Sequence, residues 1–515
     1  MLGAPLSGAR EWALGTDEFS TRFLAEKIDR AGQLVAEIEA LPERVGPQWP
    51  AAQVAFHLLR ACGNMQIMHL LRTTPPEVAS PHAERFDSAV AQAAVSIADL
   101  DPLSENEEEQ LRLPLRLGGC GLPSMAALAP AAWLGSWLQC LAGIVRGGGE
   151  ALADLGSSVT ALTTSSRTAA AELEADGVLL WETVTQGDGS WEYVQSQPIL
   201  KGQRHLAHAR AKARQARLLA RSARAGAARL RSCAGPGAAA WLATAPSSPE
   251  LTLSDRRFRF ACRMRLGQPV IQPGRSCRRG SPPCGEPLDS TGDHAHSCHR
   301  GHHTGSRHDT QRRITARILR RHRLGAQEEV RVPEWDVRRC GCSQRCGNGA
   351  SCPNGRWIRA RLDLLVEGGP GGPVRYADVR VGHPLAPSHV RAAAAQDGAT
   401  ARKGEREKFL RYGPAVIPLC CETFGRWGPS ALRWWRELSK LVAEADPDLA
   451  SRGRWAQAGL LSRWWAETSV ALQRANADTA FAASEGDGLA SGADSTGGAE
   501  GPAPFEFLLP PAPGA

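Results

Sequence analysis

Apolar residues recur at helical spacing through the first hundred residues of the chain. Between residues 18 and 100 they are separated by charged residues, and a second apolar run at 54–62 continues the pattern. Such spacing predicts amphipathic helices. The first positions that carry the pattern are Phe23, Leu24, Ile28, Leu34, Val35, Ile38 and Leu41.

An apolar stretch at 126–145 contains no charged residue and is about long enough to cross a bilayer. It follows an acidic linker that begins at Ser104 and a Gly- and Pro-rich turn at 111–124. Pro130 and Gly135 interrupt the stretch, and much of it is alanine. A buried pair of helices is therefore favoured over a membrane span.

The pattern later changes to one of short strands. Residues 357–425 alternate like strands around a helix, and a Trp-rich helical segment runs from 426 to 473. Residues 474–515 are mostly small, acidic or proline residues, which predicts a disordered tail. The predicted fold class is α+β and mostly helical. The predicted regions are helical 1–146, a basic linker region 147–262, a Cys/His loop 263–310, a small α/β domain 311–425 with a Cys-rich insertion 340–352, Trp-rich helices 426–473 and the tail 474–515.

Two helical segments are rich in arginine. The segment 201–231 contains no acidic residue, and a second basic helix spans 312–323. A solvated surface helix is the usual meaning of such a run, but the missing acidic residues favour contact with phosphates. The arginines predicted to contact nucleic acid are Arg210, Arg214, Arg217, Arg221, Arg312, Arg313, Arg320 and Arg321.

Composition narrows the class of protein. The length of 515 residues predicts more than one domain, and the net charge of +8 fits an anionic partner. The start of the chain lacks the basic and apolar regions of a signal peptide, which predicts an intracellular protein, nuclear or cytoplasmic. Eleven of the 14 cysteines lie between Cys233 and Cys421, and in a reducing compartment such clusters favour metal sites over disulfides.

One cluster has the spacing of a zinc site. Cys277, Cys284, His294 and Cys298 supply four donors for tetrahedral Zn²⁺, and the metal would order a loop with little apolar material. His296 remains an alternative to His294.

A second cluster consists of cysteines alone. The four thiols could form an all-thiolate zinc knuckle, and an insertion loop of reduced thiols or opportunistic disulfides is the alternative. Its members are Cys340, Cys342, Cys346 and Cys352.

Two aspartates lie in a predicted hairpin. Asp363 and Asp378 are separated by 14 residues, with a Gly/Pro turn at 367–373 between their strands. Two adjacent carboxylates can hold Mg²⁺ or Mn²⁺ against a scissile phosphate. A strict pairing of residues 366 and 374 would place them on opposite faces, so the prediction requires a bulge or a shift of register.

Surface ion pairs with nearby arginines are the alternative role for these aspartates. The residues that follow favour a phosphodiesterase site, because a helix carries Lys403 and Lys408 and the next strand ends at Glu422. Lys403 and Lys408 are five residues apart and face different directions on a helix, so we expect only one of them to serve. Glu422 is predicted to have a supporting catalytic role.

At these residues the chain resembles the C-terminal part of non-LTR retrotransposon proteins that carry a restriction-enzyme-like endonuclease. Those proteins have a Cys-Cys-His-Cys knuckle followed by Pro-Asp and, after a spacer of similar length, a second Asp. Here Leu362 replaces the proline, and Arg380 lies two residues after the second Asp, where related sites often have lysine. Further stretches that carry the resemblance are 288–298, 307–309, 361–363, 378–385, 408–412 and 418–425.

The resemblance continues upstream. Residues 2–5, the helices of 20–100 and the segment 113–122 are similar to the region after a reverse-transcriptase palm, which implies a thumb-like segment at 1–146. The polymerase motif Tyr-x-Asp-Asp is lacking, since the nearest match at 376–379 ends in valine. We therefore expect no polymerase palm and no reverse-transcriptase activity.

The resemblance implies a metal-dependent nicking endonuclease. Asp363 and Asp378 would bind Mg²⁺ or Mn²⁺, and structural Zn²⁺ would order the knuckle. In the resembled proteins a lysine moved onto the following helix can assist, and Lys408 fits this position better than Lys403. The expected partners are DNA and, further, retroelement RNA, with neither a membrane nor a small-molecule substrate. The alternative is a catalytically inactive, zinc-containing remnant that binds nucleic acid.

Overall fold

The computed structural model describes residues 18–46, 49–147, 156–185, 199–300, 303–340, 355–372 and 374–486. These residues form a mostly helical structure with a small mixed sheet, whose strands all lie in the second half of the chain. The predicted α+β class and the helical N-terminal region are thereby confirmed.

The helices of the N-terminal half precede residue 270. They are α1 (Glu18–Glu39), α2 (Leu41–Val45), α3 (Ala51–Leu58), α4 (Met68–Thr73), α5 (Pro76–Ala98), α6 (Glu105–Arg112), α7 (Met125–Gly147), α8 (Gly156–Ala175), α9 (Leu180–Thr185), α10 (Gly202–Arg221), α11 (Arg224–Cys233), α12 (Ala240–Ala243) and α13 (Asp255–Leu266). A π-helical turn at Leu59–Gly63 follows α3.

The later helices surround the strands. They are α14 (Asp293–Ser297), α15 (His303–Arg321), α16 (Val390–Ala395), α17 (Ala399–Tyr412), α18 (Pro429–Ala445), α19 (Pro447–Ala450) and α20 (Arg454–Glu485). Single 3₁₀ turns connect several elements, at Leu115–Leu117, Pro249–Leu251, Pro333–Trp335 and Gly413–Ala415.

The main sheet has four strands in the order β1-β4-β5-β6. The first two pairings are antiparallel and the pairing of β5 with β6 is parallel, so α16 and α17 form the crossover that a parallel pair requires. Strands β2 and β3 pair separately as an antiparallel ribbon. The strands are β1 (Gly325–Arg331), β2 (Val337–Cys340), β3 (Gly355–Ile358), β4 (Arg361–Glu367), β5 (Val374–Gly382) and β6 (Val416–Glu422).

The N-terminal core is built from two distant parts of the chain. Phe56 of α3 packs against Phe258 of α13 with ring centroids 5.7 Å apart, and Trp241 of α12 lies 5.6 Å from Phe258. The predicted boundary at 262/263 is therefore wrong, because it falls inside α13, whose aromatic face completes this core.

The apolar stretch at 126–145 forms one helix, α7, and not the predicted pair. Its N-terminus is capped by the buried Asp87 carboxylate, which accepts the backbone N–H groups of Met125 and Ala126. Of the helices in the described ranges, none combines the length and the apolar character needed to cross a membrane.

A second core lies between the sheet and the Trp-rich helices. Trp435 of α18 and Trp464 of α20 are almost fully buried, with ring centroids 5.9 Å apart, and both pack with apolar side chains of the sheet. The Trp-rich segment therefore covers one face of the sheet together with α15.

Helix α20 continues to Glu485, so the predicted start of a disordered tail at residue 474 is wrong. Ala477, Ala480 and Ala483 are buried against the Cys/His loop, and Val470 reaches the N-terminal core. The composition of this segment misled the prediction, because alanines that suggest a tail also allow a helix to pack closely on its neighbours.

We expect Ala480→Leu to destabilise the protein by about 1 to 3 kcal/mol, because Ala480 is 1% exposed and added methylenes overpack a filled core. Urea denaturation measures the change. The exposed Ala458, on the same helix, supplies the control Ala458→Leu, which should be nearly neutral. Equal stabilities of the two variants would contradict the packing of α20.

Candidate metal and phosphodiesterase site

The two predicted aspartates lie opposite each other in the sheet. Leu364 pairs with Ala377, and the same register places Asp363 across from Asp378. This register differs by one residue from a strict pairing of 366 with 374, as the predicted site requires. Both carboxylates therefore lie side by side, and Asp363 and Asp378 are 9% and 4% exposed.

The strand pairing ends where the aspartates begin. Beyond Leu364 and Ala377 the backbone ladder stops, and the N–H of Val379 donates to the Asp363 carboxylate at 2.6 Å. The Asp363 side chain thus accepts the Val379 N–H group in place of a backbone carbonyl of β4. This bond fixes one carboxylate oxygen and separates the two strands at the site.

His308, from the N-terminal part of α15, completes a group of three possible metal ligands with Asp363 and Asp378. Its Nε2 atom lies 2.9 Å from Asp363 Oδ2, and one ligand atom from each residue lies within 4.8 Å of the others. Residues 307–309 are among the stretches that carry the resemblance, but no role in the site was predicted for His308 from the sequence. His308 and Asp363 are 55 residues apart, too far for helix or strand periodicity to predict that they are neighbours.

Lys408 reaches the same site from α17. Its Nζ atom lies 2.6 Å from Asp378 Oδ2. Gly404, one turn earlier on the same face, lets α17 approach the sheet, since an added Cβ would lie 3.0 Å from both the Arg380 Cδ and the Cys420 Sγ. The preference for Lys408 over Lys403 therefore agrees with the geometry.

The two carboxylates have opposite electrostatic environments. Burial raises the pKa of Asp378 to about 7, with the neighbouring Asp363 adding to the rise and Lys408 opposing it. For Asp363, burial is outweighed by hydrogen bonds, chiefly from His308, so its pKa is lowered. The pKa of His308 is raised, because its bonds to Asp363 and Asp309 outweigh its burial. The pair thus favours one ionised and one readily protonated carboxylate.

Glu422 lies outside this group, which corrects its predicted catalytic role. In the parallel register Glu422 pairs with Gly382, four residues beyond Asp378, which is roughly 13 Å along a strand. Its buried carboxylate accepts the N–H groups of Thr400 and Ala401 at the start of α17. Glu422 therefore caps the helix that carries Lys408.

Arg380 also serves the fold. Its guanidinium forms an ion pair with Glu407 of α17, on the same face of β5 as Asp378. Arginine remains charged and makes a poor base. The endonucleases that this chain resembles often have lysine at this position, whereas here Arg380 forms an ion pair with Glu407.

The four residues of the first Cys/His cluster converge. Cys277 Sγ lies 3.9 Å from Cys298 Sγ, and Cys284 Sγ lies 3.6 Å from His294 Nε2. A tetrahedral zinc ion with usual bond lengths places two sulfurs about 3.8 Å apart and sulfur and nitrogen about 3.6 Å apart. The group could therefore bind a metal and is compatible with a zinc site.

The structure favours His294 over His296 as the fourth member of this group. His294 sits in the first turn of α14, where Asp289 accepts the N–H groups of Asp293 and His294 at 2.7 and 2.6 Å. His296 is not part of the converging group and is 1% exposed, with its ring centroid 5.4 Å from that of His383.

The second cysteine cluster is not described to the same extent. Cys342, Cys346 and Cys352 lie outside the described residues, and only the backbone of Cys340, at the end of β2, is described. The all-thiolate zinc knuckle stays a prediction.

The fold brings carboxylates to most of the predicted nucleic-acid-binding arginines. Arg210 is buried and forms ion pairs with Glu172 and Asp176, so it serves the fold and is not presented to a ligand. Asp176 also lies near Arg214 and Arg217. Sequence reasoning found no acidic residue within the helix, but the acidic partners come from elsewhere in the chain.

The remaining predicted arginines fall into two groups. Arg313 is exposed on α15. The others form ion pairs with carboxylates of other elements, namely Arg221 with Glu105, Arg312 with Glu328 and Glu329, Arg320 with Glu328, and Arg321 with Glu467.

No family model matches the chain, and no curated protein is significantly similar to it.

We expect the stability gained from Asp378→Asn, in EDTA, to be larger at pH 8 than at pH 5. The folded pKa of Asp378, about 7, exceeds the value near 3.9 of an unfolded aspartate, so the stability contribution of this group is lost as pH rises toward 7. Asparagine removes this loss, on the order of 1 kcal/mol or more. Thermal unfolding at both pH values measures it, and an equal difference at both would contradict the raised pKa.

Proposed function

We propose that the chain is a metal-dependent DNA endonuclease, of the kind that the resembled retrotransposon proteins carry. The observation that supports this most is the convergence of Asp363, Asp378, His308 and Lys408 from four different elements on one end of the sheet. Two acidic ligands, an imidazole and a lysine are suited to phosphodiester hydrolysis with Mg²⁺ or Mn²⁺.

Asp363, Asp378 and His308 would hold the divalent cation. When bound, such a cation activates water and stabilises negative charge on the phosphate oxygens. Lys408 forms an ion pair with Asp378, and from this position its ammonium group would donate to a phosphate oxygen of DNA bound at the carboxylates. Val379 keeps Asp363 oriented through its N–H group.

DNA is the proposed partner because the two helices that carry Lys408 and His308 also carry exposed cations. Arg406 and Arg411 are exposed on the helix that carries Lys408, and Arg313 is exposed on the helix that carries His308. Contacts from such side chains to the phosphate backbone would hold the duplex near the carboxylates without reading its sequence.

Zn²⁺ is the metal proposed for Cys277, Cys284, His294 and Cys298. Its role would be structural, since all four tetrahedral positions are filled by protein donors. The second cysteine cluster is proposed as a further zinc site on its spacing alone.

An inactive nucleic-acid-binding protein is the second candidate. The ion pair of Arg380 with Glu407 favours it, because the position of a common catalytic lysine has become part of the fold. In this case zinc and DNA would bind, but the chain would not cut.

We expect Cys298→Ser to abolish the binding of about one zinc per chain and to lower stability, on the order of several kcal/mol, because a structural metal is coupled to folding. Zinc content by mass spectrometry and thermal unfolding measure these effects. The exposed Cys62 supplies the control Cys62→Ser. Equal zinc content in the wild-type protein and Cys298→Ser would contradict the site.

We expect the purified chain to nick supercoiled plasmid with Mg²⁺ or Mn²⁺, and Asp378→Asn to lower the rate at least about 100-fold. Loss of a metal ligand removes several kcal/mol of transition-state stabilisation. Agarose gel electrophoresis of the plasmid measures nicking.

Glu405→Gln is the matched control. Glu405 is a buried carboxylate on α17 that caps α18 through Ser430 and Ala431, and the amide oxygen of glutamine can accept the same bonds. Equal nicking by wild type and Asp378→Asn would reveal a contaminant. DNA binding without any cutting would instead support the second candidate.

A further inference from the structure

The N-terminal part of α15 carries two adjacent side chains that reach in different directions. His308 contacts Asp363, whereas Arg307 points toward the Cys/His loop, as adjacent residues on a helix project about 100° apart. Arg307 is 3% exposed. Its guanidinium donates to the His296 carbonyl at 2.5 Å and to the Thr423 hydroxyl at 2.8 Å.

The first acceptor belongs to the loop that holds the candidate zinc ligands. His296 lies between His294 and Cys298, so its carbonyl position depends on the path of the chain between these two ligands. The neighbouring carbonyl of Ala295 accepts a hydrogen bond of 2.8 Å from the buried Arg279. Two guanidinium groups therefore cap the last turn of α14.

The second acceptor belongs to the end of the sheet. Thr423 follows β6, and its N–H and hydroxyl groups both donate to the Gly382 carbonyl, at 2.9 and 3.2 Å. Gly382 is the last residue of β5, the strand that carries Asp378. Arg307 therefore joins α14, α15 and the sheet through one side chain.

Because Arg307 is buried, its guanidinium depends on these two hydrogen bonds. Both acceptors are neutral oxygens, and burial lowers the pKa of Arg307 to about 10, with Arg279 adding to the effect. A buried charge is costly without its hydrogen bonds, so the guanidinium cannot move away from either acceptor without a large penalty. The planar fork of arginine can serve both acceptors at once, which the ammonium of lysine does poorly.

We propose that Arg307 is a positioning residue that couples the Cys/His loop to His308 and thereby sets the contact of His308 with Asp363. Its effect on cation binding rests on the proposed function, whereas its effect on α15 does not.

Two measurements on the full chain test this coupling. Hydrogen exchange of the amides of residues 308–312, without added Mn²⁺, reports the order of α15, and electron paramagnetic resonance reports Mn²⁺ affinity. The variant is Arg307→Met, and Arg307→Lys replaces it if the methionine variant does not fold. Arg265→Met is the matched control, because Arg265 is equally buried and donates to the carbonyls of Gly119 and Cys233, away from α15.

We expect Arg307→Met to speed exchange at 308–312 and to weaken Mn²⁺ binding about tenfold, as the loss of outer-shell support does at metal sites. Arg265→Met should change neither. In a His308→Ala background, Arg307→Met should cause no further loss of affinity, because its effect passes through His308.

Unchanged Mn²⁺ affinity in Arg307→Met would overturn the proposal, as would an equal loss in the His308→Ala background. If the wild-type chain binds no Mn²⁺, the proposed function fails, and exchange alone decides the coupling. Faster exchange at residues 308–312 in Arg307→Met but not in Arg265→Met would then support the coupling. Equal exchange rates in the two variants would overturn it.

Discussion

The burial of two carboxylates side by side is the constraint on which the rest of this site depends. Asp363 and Asp378 lie opposite each other where both are shielded from water, and two such charges repel strongly. The protein offsets this repulsion with donors from three elements: His308 from α15, the Val379 N–H from β5 and Lys408 from α17. The positions of α15, β5 and α17 around the site therefore reflect the need to give both carboxylates hydrogen-bond donors or a positive charge.

The helices that supply these donors are themselves held by buried polar groups. Glu422 caps the start of α17, and Glu405 of α17 in turn caps the start of α18. Each carboxylate is buried, which raises its pKa, and each accepts backbone N–H groups that would otherwise lack partners. A sheet residue thus orients one helix and that helix orients the next, so the position of Lys408 depends on the Glu422 cap at the start of α17.

Sequence alone could predict the features that depend on local spacing. The hairpin with Asp363 and Asp378 required only strand periodicity and a Gly/Pro turn, and the Cys/His cluster required only ligand spacing. The choice of Lys408 over Lys403 depended on the resemblance. The role of His308 and the ion pairs of Arg210 could not be predicted in this way, because their partners lie far away in the chain. The same limit explains the error at residue 474, where the alanines of α20 are buried by distant segments.

Helix α20 explains why these distant segments act together. Along its length it contributes Val470 to the N-terminal core, Trp464 to the core beneath the sheet and Ala480 to the wall of the Cys/His loop. Asn476, between Val470 and Ala480, donates to the Thr423 carbonyl at 2.8 Å. The hydroxyl group of the same Thr423 accepts a hydrogen bond from Arg307. Because a packed helix is stiff, a shift of α20 at one core must be met at the others. The Cys/His loop and the sheet that carries the carboxylate pair therefore pack against one shared helix.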